Sequence, residues 1–214
     1  MHRIRFKDRE EAGEKLVHRL KQYKQKTGVV VLGLARGGVI TASAIARALQ
    51  VPLDVIVVRK IGAPGNAELA IGAITAHGAQ AFNMVLIKQV EIPQSYIDDS
   101  VAREKAECAQ REHLYRVHKS VMDLTDKTVI LVDDGIATGL TMEAAIKDVR
   151  KRGSKTVVVA APVMPADVVD QIKPLCDELF FLIAPEDFLA IGAFYVDFTQ
   201  VTHDKVIAAL KAQN

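Results

Sequence analysis

"ILVDDGIATGLT", residues 130–141, decides the fold of this chain. An apolar run reads as a buried strand, two acids follow at its end, and a loop of glycine and threonine leads into the helical pattern "LTMEAAIKDVRKRG" (140–153). Where a strand hands over to a helix, the first helical N–H groups lack partners and the macrodipole favours negative charge, so Gly135, Thr138, Gly139 and Thr141 suit an anion. Asp133 and Asp134 would repel an anion standing alone. The ligand must therefore also carry something carboxylates bind, such as sugar hydroxyls or a divalent metal. The loop is neither G-x-x-x-x-G-K-[ST], because Leu140 follows Gly139, nor G-x-G-x-x-G.

Upstream, "GVVVLGL" (28–34) is a second continuous apolar strand; "ARGG" turns the chain, "VITASAIARALQ" reads as a helix, and "PLDVIVVRK" (52–60) as another buried strand. Downstream, "SKTVVVAAPV" (154–163) and "ELFFLIA" (178–184) add two more. Near the N-terminus, Asp8 and Glu11 form a capping pair ahead of Ala12, Leu16, Val17 and Leu20 at helical spacing. Runs buried on both faces, alternating with helices, predict an α/β fold: a doubly wound, mostly parallel sheet in one domain spanning 1–214.

The 214 residues are half hydrophobic and a quarter charged, which suits a folded domain rather than a disordered one. A net charge of +2 gives no support for a nucleic-acid or membrane-surface binder. No apolar run approaches the roughly 18 residues of a membrane span, so the cytoplasm is the expected compartment. Cys108 and Cys176 lack metal-site spacing, and the six histidines are scattered; His113 and His118, five apart, do not share a helical face.

A phosphate with vicinal hydroxyls nearby describes a ribose 5-phosphate. At this point "VILVDDGIATGLTM" resembles the phosphoribosyl-pyrophosphate (PRPP) motif of the type I phosphoribosyltransferases. The resemblance implies that Gly135, Ile136, Ala137, Thr138, Gly139 and Thr141 hold the PRPP phosphate. Asp133 and Asp134 would face the ribose hydroxyls, binding Mg²⁺ indirectly. "GLARGGV" (33–39) is similar to the family's pyrophosphate loop, which implies pyrophosphate contacts from Ala35, Arg36 and Gly37, and a non-proline cis peptide between Ala35 and Arg36. "VVRKIGAPG" resembles the "VRK-x-G" segment of adenine phosphoribosyltransferases, which adds Arg59 and Lys60. Catalysis would rest on Asp133, Asp134, Arg36 and Lys60, with PRPP and a nucleobase-like acceptor as partners and no nucleic acid or membrane. The opening "FKDREEAGEKL" resembles stand-alone bacterial members whose acceptor base is unassigned, and a homodimer is the expected assembly.

Residues 61–125 depart from better-known members. "IGAPGNAELAIGAITAHGAQ" (61–80) has little periodicity and reads as a mobile loop over the site, with Glu68 its one acid; "FNMVLIK" (82–88) reads as a short strand. From Pro93 to Ser120 the pattern is one long polar helix, packing a single stripe onto the domain as a hood. A C-terminal hood segment (185–214) concentrates aromatics; a similar place in the 6-oxopurine phosphoribosyltransferases supplies an aromatic that stacks on the base, and the resemblance implies that role for Phe188. The 6-oxopurine enzymes carry an acid where this chain has Ala137, so guanine and hypoxanthine are expected to be refused and adenine or another heterocycle preferred. The rival reading is a regulator on the same fold that senses PRPP or a nucleotide and binds RNA or a protein.

Overall fold

The computed structural model describes residues 5–116 and 120–213. Helix α1 (Arg9–Val17) starts where the Asp8 carboxylate accepts the Glu11 amide at 2.9 Å, the cap its spacing predicts. Strand β1 (Val29–Leu34), helix α2 (Gly37–Leu49) and strand β2 (Leu53–Ile56) form the first strand–helix–strand unit. Then come β3 (Val58–Ala63), β4 (Asn66–Thr75), β5 (Gln80–Phe82), α3 (Met84–Gln89) and the long α4 (Gln94–Arg116). The second half alternates β6 (Thr128–Val132), α5 (Leu140–Lys151), β7 (Thr156–Val163), α6 (Ala166–Ile172) and β8 (Glu178–Ile183), and closes with α7 (His203–Lys211).

The main sheet has the order β2-β1-β6-β7-β8, with every neighbouring pair parallel. Its strands alternate between two cores. Val29, Val31, Ile130 and Val132 face α1, α2 and α7, whereas Val30, Leu32, Val129 and Leu131 face α5 and α6. Burial on both faces is why these strands read as unbroken apolar runs. The strand order reverses between β1 and β6. A doubly wound sheet opens a crevice at such a point, outside the carboxyl ends of the strands. Here those ends lead into "ARGG" and "DDGIATG".

Three expectations need correction. The stretch 52–60 is not one strand. It breaks at Val57: β2 stays in the main sheet beside β1, and β3 leaves to pair antiparallel with β4. Residues 61–80 are not an irregular loop but most of a three-stranded antiparallel sheet, β3-β4-β5. One face of it, with Ile61, Ile71 and Ile74, packs on Ile87 and Ile97, while Ala73 and Ala81 on the other face pack against Leu140 and Ala144 of α5. A register shift at Gly62 broke the alternation that would have announced the hairpin. Finally, 82–88 holds the end of β5 and then helix α3, started by Asn83, whose side chain accepts the Leu86 amide at 3.0 Å.

The long helix follows its expected course through the described residues; the part of the reading that covers 117–119 lies outside them. Its packed stripe is itself charged. Glu104, Glu112 and Arg116 are buried with Ile97, Cys108 and Tyr115. Arg116 reaches Glu112 at 2.7 Å and Asp54 at 3.3 Å, and Arg59 reaches Glu104 at 2.5 Å. Between hairpin and helix α5 sits Asp148, fully buried, which accepts from the Thr75 hydroxyl at 2.6 Å and faces the His77 ring at 3.4 Å. Those two groups hold its carboxyl below the ordinary value despite burial that acts to raise it.

Candidate active site

The crevice between β1 and β6 is a cleft of about 260 Å³. Ala35, Arg36, Gly37, Lys60, Asp133, Asp134, Gly135, Ala137, Thr138 and Thr141 all line it, joined by Leu34, Val58 and Ile191. Residues a hundred positions apart thus meet because β1 and β6 are neighbours in the sheet.

Each wall has a local cause. Gly139 takes a left-handed turn (φ 78°) from which α5 starts, and no side chain caps the helix, so its N-terminal end stands ready for an anion. Opposite, the Ala35–Arg36 peptide is cis, as the resemblance implied, and α2 begins at Gly37, again without a side-chain cap. The two loops touch. A Cβ on Gly37 would stand 1.9 Å from Asp134 Oδ2, and one on Gly38 would stand 2.7 Å from the Val132 carbonyl oxygen and 2.8 Å from Asp133 Oδ1. Only glycines let "ARGG" lie on the acid pair.

The acids differ in environment. Asp133 Oδ1 accepts the Asp134 amide at 2.9 Å. Desolvation first, then the neighbouring Asp134 charge, push the Asp133 carboxyl well above the ordinary aspartate value. Asp134 is held by Arg9, whose Nε donates to Oδ2 at 2.6 Å, and its backbone carbonyl accepts the Tyr195 hydroxyl at 2.6 Å. Arg36 and Lys60 contrast with Arg9: both line the cleft, and neither forms an ion pair among the described residues.

Several expected contacts fall elsewhere. Arg59 does not line the cleft. Strand alternation puts Val58 and Lys60 on the cleft side of β3 and Arg59 on the other, where it pairs with Glu104 under α4. The Ile136 side chain is buried in the core, its amide donates to the Val163 carbonyl at 2.9 Å, and the residue does not line the cleft. Gly139 shapes the turn rather than the wall. Glu68 is exposed on the hairpin and lines no part of the cleft. Phe188 lies in a neighbouring hollow of about 510 Å³, with Ala137, Pro165, Ala166, Asp167 and Glu186, and stacks on Phe194 at 5.9 Å between centroids. The two hollows share Ala137.

The sequence reading missed Arg9, Tyr195 and Ile191. Tyr195 stood among the C-terminal aromatics, but no spacing could join Arg9 to an acid 125 positions away.

A parallel sheet with an uncapped helix start, an acid pair and an arginine–glycine loop at its switch point makes this a doubly wound α/β protein. The chain belongs to the phosphoribosyl transferase domain family, whose model matches residues 6–199. Proteins from two strains of Mycobacterium tuberculosis, whose names place them among the phosphoribosyl transferases, are 40% identical over 205 residues. The alignment covers 96% of this chain but 46% of theirs, so the chain spans about half their length. The solved structure of TT1426 from Thermus thermophilus is 40% identical, with a TM-score of 0.81 over 98% of this chain and 99% of its own. Among the described residues, no helix is long and apolar enough to cross a membrane.

Proposed function

We propose that this chain moves the 5-phosphoribosyl group from PRPP to a ring nitrogen of a purine-like base, releasing pyrophosphate. The observation that carries the reading is the cleft's charge pattern. Two cations that form no ion pair among the described residues, Arg36 and Lys60, line the same cleft as an uncapped helix start and two acids. A ligand with an anion at each end and hydroxyls in the middle matches that pattern.

The PRPP 5-phosphate would rest on Gly135, Ala137, Thr138 and Thr141, and the ribose hydroxyls on Asp133 and Asp134. Arg36 and Lys60 would take the pyrophosphate, stabilising it as the C1–O bond breaks and the bond electrons leave with it. The acceptor nitrogen supplies the electron pair of the new C1–N bond, and its in-line placement provides much of the acceleration. Among the described residues, no cluster of three or more His, Cys, Asp or Glu could cage a metal. Two carboxylates beside substrate oxygens fit Mg²⁺, which binds through one or two carboxylates and otherwise through phosphate oxygens and water. Bound there, it would neutralise charge on the pyrophosphate.

The Phe188 hollow is the place for the acceptor, since it adjoins the cleft at Ala137. Alanine can neither take a proton from the base nor bond a ring N–H, so guanine and hypoxanthine should be poor acceptors and adenine the first candidate. The test is a screen of nucleobases with PRPP and Mg²⁺, reading pyrophosphate release. Turnover of adenine or another base that guanine and hypoxanthine do not match supports the proposal. Efficient guanine or hypoxanthine turnover overturns the acceptor argument, and PRPP binding without turnover on any base favours the sensing regulator instead.

A further inference from the structure

We infer that Arg9 is a positioning residue of this site, fixing Asp134 so that the acid meets the ribose in one orientation. The inference rests on the PRPP reading above, and it makes α1 part of the binding machinery along with the two sheet-edge loops.

The geometry is specific on all sides of the guanidinium. Arg9 Nε donates to Asp134 Oδ2 at 2.6 Å, and Nη1 donates to the Thr199 carbonyl at 2.8 Å. The guanidinium carbon lies 3.8 Å from the centre of the Phe198 ring, a cation–π contact. Phe198 packs on Tyr195 at 4.9 Å, and Tyr195 donates to the backbone carbonyl of Asp134. Both charged side chains are 11% exposed. Main chain and side chain of Asp134 are thus both held, by groups from α1 and from the C-terminal segment that pack on one another through Phe198.

An aspartate so placed would not hold its position unaided. Its neighbour is Asp133, and like charges in a desolvated crevice repel. The guanidinium supplies the opposing charge, and its planar fork fixes direction as well as charge. Arg9 holds the acid through Oδ2, and Asp134 lines the cleft, so a ligand there meets a carboxylate whose direction Arg9 sets. Gly37 completes the arrangement, because any Cβ there would displace Oδ2 and press on Arg9 Nε at 2.9 Å. An ion pair that served stability alone would have no need of an acceptor in the cleft wall. Arg9 is committed to Asp134 and Thr199, so its effect on a ligand passes through the acid and concerns the sugar rather than the pyrophosphate.

That division gives the test. Calorimetric titrations in Mg²⁺ compare PRPP with inorganic pyrophosphate, which carries no ribose, for the parent and for Arg9→Met. The expected result is a loss of about tenfold in PRPP affinity, the scale of coupling between contacting groups, with pyrophosphate affinity unchanged. Parent-like affinity for PRPP, or equal losses for both ligands, overturns the role of Arg9. Should Arg9→Met fail to fold by circular dichroism, Arg9→Lys carries the same comparison. Lysine keeps the charge without the planar fork, so a smaller loss confined to PRPP is expected, and parent-like PRPP affinity or equal losses again overturn it. A parent that binds no PRPP refutes the functional reading itself, a result distinct from either variant's failure.

Discussion

Replacing Gly37 by alanine tests how tightly the two loops are fitted. The φ angle of Gly37 lies outside the left-handed region, so alanine is conformationally acceptable there and any effect comes from the added carbon. That carbon would sit 1.9 Å from Asp134 Oδ2 and 2.7 Å from its Cγ, so the whole carboxylate must swing aside. Swinging it breaks the 2.6 Å bond to Arg9 and leaves an acid that is only 8% exposed without its countercharge. Overpacking costs about 1–3 kcal/mol and breaking a buried pair about 3–5, so with both groups slightly exposed we expect about 2–4 kcal/mol. For a domain of this size that corresponds to a fall in melting temperature of about 4–16 °C, read by scanning calorimetry. Gly28→Ala is the control: its Cβ meets nothing within 4 Å, and its cost comes only from a φ of +78°. PRPP affinity should fall in Gly37→Ala and stay unchanged in Gly28→Ala. A Gly37→Ala protein with the parent's melting temperature and PRPP affinity would refute the reasoning.

Three further outcomes follow from the site. Asp133→Asn should stabilise the ligand-free protein at neutral pH: with its carboxyl raised above the ordinary 3.8, the native state binds the extra proton and the acid costs stability as pH rises past that value, so the gain should vanish below it. Thermal melts across pH decide this, and a loss of stability at neutral pH would contradict it. Lys60→Gln should weaken pyrophosphate binding by about tenfold, as expected on losing one charge-assisted contact, without lowering stability, whereas Arg59→Gln should do the reverse by leaving the buried Glu104 with only the exposed Arg103 as its cation. Titration and melting of the two variants must separate, and identical behaviour would show that β3 does not sort them. Amides at the hairpin tip (64–69) should exchange quickly without ligand and slow when PRPP, Mg²⁺ and an acceptor bind; equal rates in both states would mark the tip as a fixed element.

The parts of this molecule legible in its sequence are those fixed by local chemistry. Strands buried on both faces cannot avoid reading as apolar runs, and a loop of glycine, threonine and acid between strand and helix has few uses. That made β1, β6 and their loops visible, and with them most of the cleft. What escaped depends on tertiary partners. The break at Val57 leaves no composition signal, because β2 and β3 are both apolar there and differ only in which strand accepts their hydrogen bonds. Arg59 and Lys60 look alike as a pair, yet one step of strand alternation sends them to opposite faces; a reader who trusted the period could have separated them. Helix α4 was recognisable by length and by its start near Pro93, but its buried side could not be inferred from hydrophobicity, since Glu104, Glu112 and Arg116 are paired there rather than exposed. Arg9 became visible only with α1 folded against the C-terminal segment.

The carboxylate of Asp148 has a mechanical consequence. By fastening Thr75 at the base of the hairpin, it ties the sheet that carries Lys60 to the helix that begins after Gly139. Arg36 stands beyond the end of β1, and β1 is paired with β6 from Val29 to Gly33. The spacing between the two cations is therefore set by a strand register on one side and by a buried side-chain bond on the other, at residues that do not line the cleft themselves.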